Sequence, residues 1–91
     1  MALTKEIVVD KIEVLEMGEI QVRTATRILE DGVQLSSSFH RHILDPSIKI
    51  DGVWTDTDIS GEDARVQAVA NATWTAEVKT AYQNMVDAQS L

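Results

Sequence analysis

His40 and His42 stand two residues apart, a spacing that turns both imidazoles to one side of an extended strand and within reach of one transition metal. Such a site needs three or four ligands, each supported by hydrogen bonds behind it. The strand register argued below supplies only Arg23 and Gln21 as same-face neighbours, and a cation beside the pair opposes metal binding. The pair is expected to be an exposed or interfacial polar face. Asp56-Thr57-Asp58-Ile59-Ser60-Gly61 repeats the alternating oxygen ligands that open a calcium loop, so Asp56, Asp58 and Ser60 are the second set of metal candidates. The twelfth position of that loop is Gln67, where calcium wants a bidentate glutamate, and Ser60 has a competing use as a helix cap. Neither set is expected to hold a metal, and no cofactor is expected.

Asp51, Asp56, Asp58, Glu62 and Asp63 would serve acid–base chemistry only in a cleft that shifts their pKa values. A loop of this composition stays in water instead. Ser36-Ser37-Ser38 beside two histidines has the residue types of a hydrolase, yet neither a nucleophile elbow nor an oxyanion loop accompanies it. The chain has no cysteine, which removes disulfides, thiolate nucleophiles and zinc–thiolate sites together. Asn71-Ala72-Thr73 matches a glycosylation sequon but falls inside a predicted helix. No catalytic residue is assigned, and the chain is read as not an enzyme.

The bulk numbers narrow the partners. With 8 basic and 15 acidic residues the net charge is −7, and residues 45–91 hold more of that excess than residues 1–44. Phosphate backbones are bound by Lys and Arg with release of counterions, so nucleic acid and anionic membranes are disfavoured. No apolar run approaches the ~20 residues of a membrane span. The opening MALTKEIVVDKIEV is interrupted by charges and lacks the pattern of a signal peptide, so the expected location is intracellular or within a particle made inside a cell. The composition, 44% apolar and 25% charged, is that of a folded single domain over residues 1–91. A chain of this length hides only about 60–65% of its unfolded surface, so burial against another chain would help it.

Strands are expected over about 3–55 and a helix over about 61–88. Ile7 to Leu15 is rich in Ile and Val, but Ile12 and Val14 fall on one parity and Ile7, Val9 and Leu15 on the other. Either both faces are covered or a bulge switches the parity. Ile20, Val22, Thr24, Thr26 and Ile28 alternate cleanly with Gln21, Arg23, Ala25 and Arg27. Asp31-Gly32 then supplies the positive φ of a tight hairpin. In the third segment Leu35, Phe39 and Ile43 share a parity opposite to His40 and His42. Hydrophobic matching favours Ile28 facing Leu35, Thr24 facing Phe39 and Ile20 facing Ile43, because one step of slip sends the whole apolar set to the wrong face. Arg23 then pairs with His40, and Gln21 with His42.

Asp45-Pro46-Ser47 ends that strand, and Ile48, Ile50, Asp51-Gly52 and Val53-Trp54 read as a short hairpin. From Ser60 the spacing becomes helical, with Ser60 as N-cap and Val66, Val69, Ala70, Thr73, Trp74, Val78, Ala81, Tyr82 and Met85 as the apolar stripe. Thr73-Trp74-Thr75 is weak helix material where a kink is expected, or a break with Thr75 capping a second helix. The fold class is α+β: a strongly bent antiparallel sheet or small barrel of four to five strands, then a C-terminal helix. Trp54, Trp74, Tyr82 and Phe39 are core or interface anchors, two roles that sequence does not separate.

The wording MALTKEIVVDKIEV…QVRTATRILEDG…SSFHRHIL…TWTAEVKTAYQ resembles small open reading frames of marine bacteriophages, cyanophages in particular. That resemblance implies a virion or virion-assembly role and carries no site residue. A small barrel would also be similar in architecture to Sm-like and SH3-like proteins, although the helix comes last here and the Arg-Gly step of the Sm RNA-binding loop is missing. The leading expectation is a non-enzymatic, self-associating structural or accessory protein, with itself and other virion proteins as partners. The alternative is a small-barrel nucleic-acid binder using Arg23, Arg27, Arg41, His40 and His42.

Overall fold

The structure is a computed structural model that describes residues 2–89. Three long strands, β1 (Leu3–Val14), β2 (Ile20–Glu30) and β3 (Val33–Leu44), form an antiparallel sheet in the order β1-β2-β3. A separate hairpin, β4 (Ser47–Ile50) and β5 (Val53–Asp56), precedes two helices, α1 (Ala64–Thr73) and α2 (Ala76–Gln89). The class is α+β. Among the described residues the sheet stays open, with β1 and β3 as its two edges, so of the expected sheet or barrel the closed form is not found.

Local chemistry explains the elements. Asp31-Gly32 and Asp51-Gly52 both take positive φ at both residues, the backbone that joins twisted strands in two-residue hairpins. Gly18 has φ +93 in the turn between β1 and β2, and a Cβ placed on it would meet Val78 Cγ1 at 2.5 Å and Pro46 Cγ at 3.1 Å. Only glycine lets that turn lie against α2.

The helical region begins later than expected. Asp63, not Ser60, is the N-cap of α1: its carboxylate accepts a hydrogen bond from the Arg65 N–H at 2.9 Å. The Ser60 N–H is engaged by the Asp58 carboxylate at 2.9 Å, which holds that stretch in an Asx turn and keeps it out of the helix. Trp74 and Thr75 separate the two helices, and the Thr75 hydroxyl accepts from the Val78 N–H at the start of α2. The Trp74 indole N–H reaches the Gly18 carbonyl at 2.7 Å and ties this break to the β1–β2 turn.

The core is small and sits at one end of the sheet. Ile20, Val22, Val66 and Ala70 are fully buried, with Val9, Ile12, Leu44, Ile59, Val69 and Trp74 packed around them. α1 therefore covers the inner half of one sheet face, near the β1–β2 turn. α2 packs on the β4–β5 hairpin: Gln83 donates to the Ser47 hydroxyl at 3.0 Å, and Trp54 meets Tyr82 edge to face at 6.1 Å.

Two bulges set which residues face α1. The β1–β2 register shifts between Val9 and Lys11, leaving Asp10 unpaired and bringing Ile7, Val9, Ile12 and Val14 onto one face. The parity switch suggested by the sequence of β1 is this bulge. The β2–β3 register shifts between Ile28 and Leu29, so Leu35 has no partner. The expected pairing survives only at Glu30–Val33 and Leu29–Gln34. Beyond the bulge, Ile28 faces Ser36, Thr24 faces His40, Val22 faces His42 and Ile20 faces Leu44. Phe39 lies beside Ala25 on the opposite face, and Arg23 faces Arg41. The expected Ile28–Leu35, Thr24–Phe39 and Ile20–Ile43 contacts are thus replaced. The physical reason is cover: burial dictates register only where a second layer lies over the face, and α1 stops short of the outer half. There the chain inserts a residue, seats Leu44 on Ile20 in the core and sends Phe39 to the far side.

Candidate self-association surface

Among the described residues, no helix lies over either face of the outer half of the three-stranded sheet. Leu3, Ile7 and Val33 are 67%, 63% and 66% exposed, and Leu35 and Phe39 are 57% and 50% exposed. The radius of gyration is 17.1 Å and the longest dimension 58 Å. A compact chain of this length would have a radius of about 12 Å. The difference is this arm. Isolated β-structure with an uncovered apolar face is marginal in water, and large exposed apolar patches are in general places where proteins meet other molecules.

The face opposite α1 is dressed by its own side chains. The Arg23 guanidinium makes two hydrogen bonds to the Asp10 carboxylate, at 3.0 and 2.8 Å, and lies 4.4 Å from the centre of the Phe39 ring. Arg27 pairs with Glu6 at 2.7 Å. Together these residues shield Ala25, which has no exposed surface. Hydrogen bonding from Arg23 holds the Asp10 carboxyl below its ordinary range, and Asp10 in turn raises the Arg23 guanidinium. Asp10 is the bulge residue of β1, so the irregularity aims its carboxylate at Arg23.

The two edges differ. β1 carries Lys5, Glu6, Lys11 and Glu13, a bulge at Asp10, and a Val9 carbonyl occupied by the Arg65 guanidinium. These are the devices that discourage a strand from pairing with another chain. β3 has none of them from Ser36 to Leu44: no lysine, proline, carboxylate or register shift. Among the described residues its only strand neighbour is β2.

The residues singled out for chemistry are brought to separate places. His40 and His42 share the face that α1 partly covers, with rings stacked at 6.3 Å, beside Thr24 and Val22 rather than the expected Arg23 and Gln21. His42 Nε2 is 2.8 Å from the Glu62 carboxylate, while His40 is exposed. Asp56 pairs with Lys79 at 2.9 Å. Asp58 is held below its ordinary pKa range by the Ser60 N–H, so of the calcium pattern's carboxylates Asp58 is engaged locally and Asp56 by Lys79. No cluster of three metal-ligating side chains occurs among the described residues. Of the five carboxylates considered for acid–base work, Asp51 sits in a hairpin turn, Asp63 caps α1, Glu62 meets His42 and Asp56 meets Lys79. They do not converge.

The tryptophans anchor the chain to itself. Trp74 holds the Gly18 turn, and Trp54 packs on Tyr82 and donates to Asp87 at 3.3 Å. Asp87 is pulled below its usual range by Lys49 and then by Trp54, and the Tyr82 hydroxyl is pushed up by burial and by Asp45. The basic patch proposed for nucleic acid is divided: Arg23 and Arg27 are paired with Asp10 and Glu6 and His42 meets Glu62, leaving His40 and Arg41 along the β3 edge. Sequence reading placed Phe39 on the inward parity of β3 opposite Thr24; the bulge at Leu35 turns it to the other face, where it is half exposed. No helix among the described residues is long and apolar enough to cross a membrane. No family model matches the chain, and no curated protein or solved structure matches it either.

Proposed function

We propose that this protein is a structural or accessory component that works by associating with itself through the outer half of its three-stranded sheet. The observation that carries this reading is the projecting arm, whose apolar residues and open β3 edge are left exposed by the described residues. A small domain gains most from burying such a surface against another chain, because its own core is limited to a few side chains. The scattered carboxylates and histidines support a non-enzymatic role. A place among virion or virion-assembly proteins is part of the proposal and rests on the resemblance in wording alone. Light scattering across a concentration series is the test. The expected mass exceeds the 10.1 kDa of one chain and rises with concentration. A mass fixed at one chain throughout would refute the reading.

A further inference from the structure

We infer that the partner is a second copy of this chain, joined edge to edge through antiparallel β3 strands about a two-fold axis at Phe39, so that two three-stranded sheets become one of six strands. The inference rests on the self-association reading and specifies its surface and symmetry.

The sequence of the open edge is self-complementary. Ser36-Ser37-Ser38 precedes Phe39, and His40-Arg41-His42 follows it. Antiparallel pairing centred on Phe39 sets Ser38 opposite the second copy's His40, Ser37 opposite its Arg41 and Ser36 opposite its His42. Each large basic side chain then meets a small hydroxyl, twice over. Directly opposed residues are the unit of sheet stabilisation, and like charges in that position are destabilising. Moving the axis to Arg41 places two guanidinium groups face to face, which the Phe39 register avoids. The same register brings Leu35 level with the second copy's Ile43, two side chains that are 57% and 52% exposed in the single chain. It also lays each Phe39 against its symmetry mate, where aromatic pairs are favoured.

Charge points to the same strand. Each chain carries −7, so two copies repel over most of their surfaces. Val33–Leu44 contains no aspartate or glutamate, and its Arg41 has no ion-pair partner among the described residues. β3 is therefore the long edge along which acidic copies approach at least cost. The pairing also sets the outer half of each β3 against the inner half of the other, which gives the projecting arm a neighbour.

The lack of native cysteine makes disulfide mapping direct. Directly opposed residues in an antiparallel pair have Cα atoms about 4.5–5.5 Å apart, within the span a disulfide bridges. Phe39→Cys should give a covalent species of doubled mass under mild oxidation. Ser37→Cys should not, because its mate would lie four residues along the strand, about 13 Å away. Leu3→Cys on β1 should also stay single. Removing the Phe39 ring weakens its own pairing, so an equimolar mixture of Ser38→Cys and His40→Cys serves as a second probe and should cross-link as a heterologous pair. Equal cross-linking at all positions, or none at Phe39 and in the mixture while light scattering shows association, would overturn the edge pairing and leave self-association standing. A wild-type chain of single mass with no cross-linking would remove both. A chain whose β3 becomes protected only on addition of an acidic extended peptide would assign the edge to a different partner and likewise overturn the pairing.

Discussion

The two halves of the three-stranded sheet are built from the same strands and obey different rules. In the inner half, Ile20 and Val22 are sealed under Val66 and Ala70 of α1. Each side chain there has one acceptable orientation, because burial penalises any other. In the outer half, Ile7, on the same face, is 63% exposed, and the chain tolerates a bulge at Leu35 that reverses the orientation of all that follows in β3. A strand's pattern specifies its register only as far as a second layer extends. Beyond that limit the pattern no longer fixes the register, and the apolar residues there are left exposed.

The sharpest way to break this comparison is to make one substitution in both halves. Ile20→Ala, in the core, is expected to cost about 2–5 kcal/mol, enough to unfold much of a marginal domain. Ile7→Ala, measured at concentrations where the chain is single, should stay within about 0.5 kcal/mol. Urea denaturation reads both, and similar losses at the two positions would dissolve the distinction. Next in size is a pair of glycines. Gly18→Ala combines strained backbone with contact against Val78 and Pro46 and should cost roughly 2–5 kcal/mol. Gly32→Ala at the tip of the arm meets nothing within 4 Å, so only its backbone strain, about 1–2 kcal/mol, remains. Trp74→Phe should cost about 1–2 kcal/mol, because the Gly18 carbonyl is left without its donor.

The smallest expected effect lies at the join between the halves. Asp10 titrates below its unfolded value because Arg23 hydrogen-bonds to it. A carboxyl depressed in the folded state contributes stability above its unfolded pKa of about 3.9 and loses it as pH falls through the lower folded value. The urea midpoint of the native chain should therefore drop below about pH 4. Asp10→Asn should lower the midpoint in the neutral region, where the pair contributes, and so flatten that acid limb. An unaltered limb would show that the pair does not contribute.

How much of this was readable in the sequence follows the same boundary. The Asp-Gly hairpins, the clean alternation of β2, the parity break in β1 and the helical stripe from Val66 onward are local signals, and the structure follows them. The β3 register is not local. Two ways of matching Ile20–Ile28 to Val33–Leu44 differ by one inserted residue, and choosing between them requires knowing that α1 seals only Ile20 and Val22 of β2 in the core. The N-cap was misplaced for a related reason: Ser60 and Asp63 both have capping side chains, and the Asx turn at Asp58 decides between them. The candidate sites failed by dispersal. His42, Asp56 and Glu62 each have an ion-pair partner from a distant element that spacing along the chain does not reveal.

Hydrogen exchange at two protein concentrations tests the central claim most directly. The amides of β3 between Ser36 and Ile43 that point away from β2, every second one, should be slow at high concentration and fast on dilution, while the inner amides of β2 around Val22 stay equally protected at both. Protection of β3 that is the same at every concentration would contradict the claim that its open edge is covered by another copy.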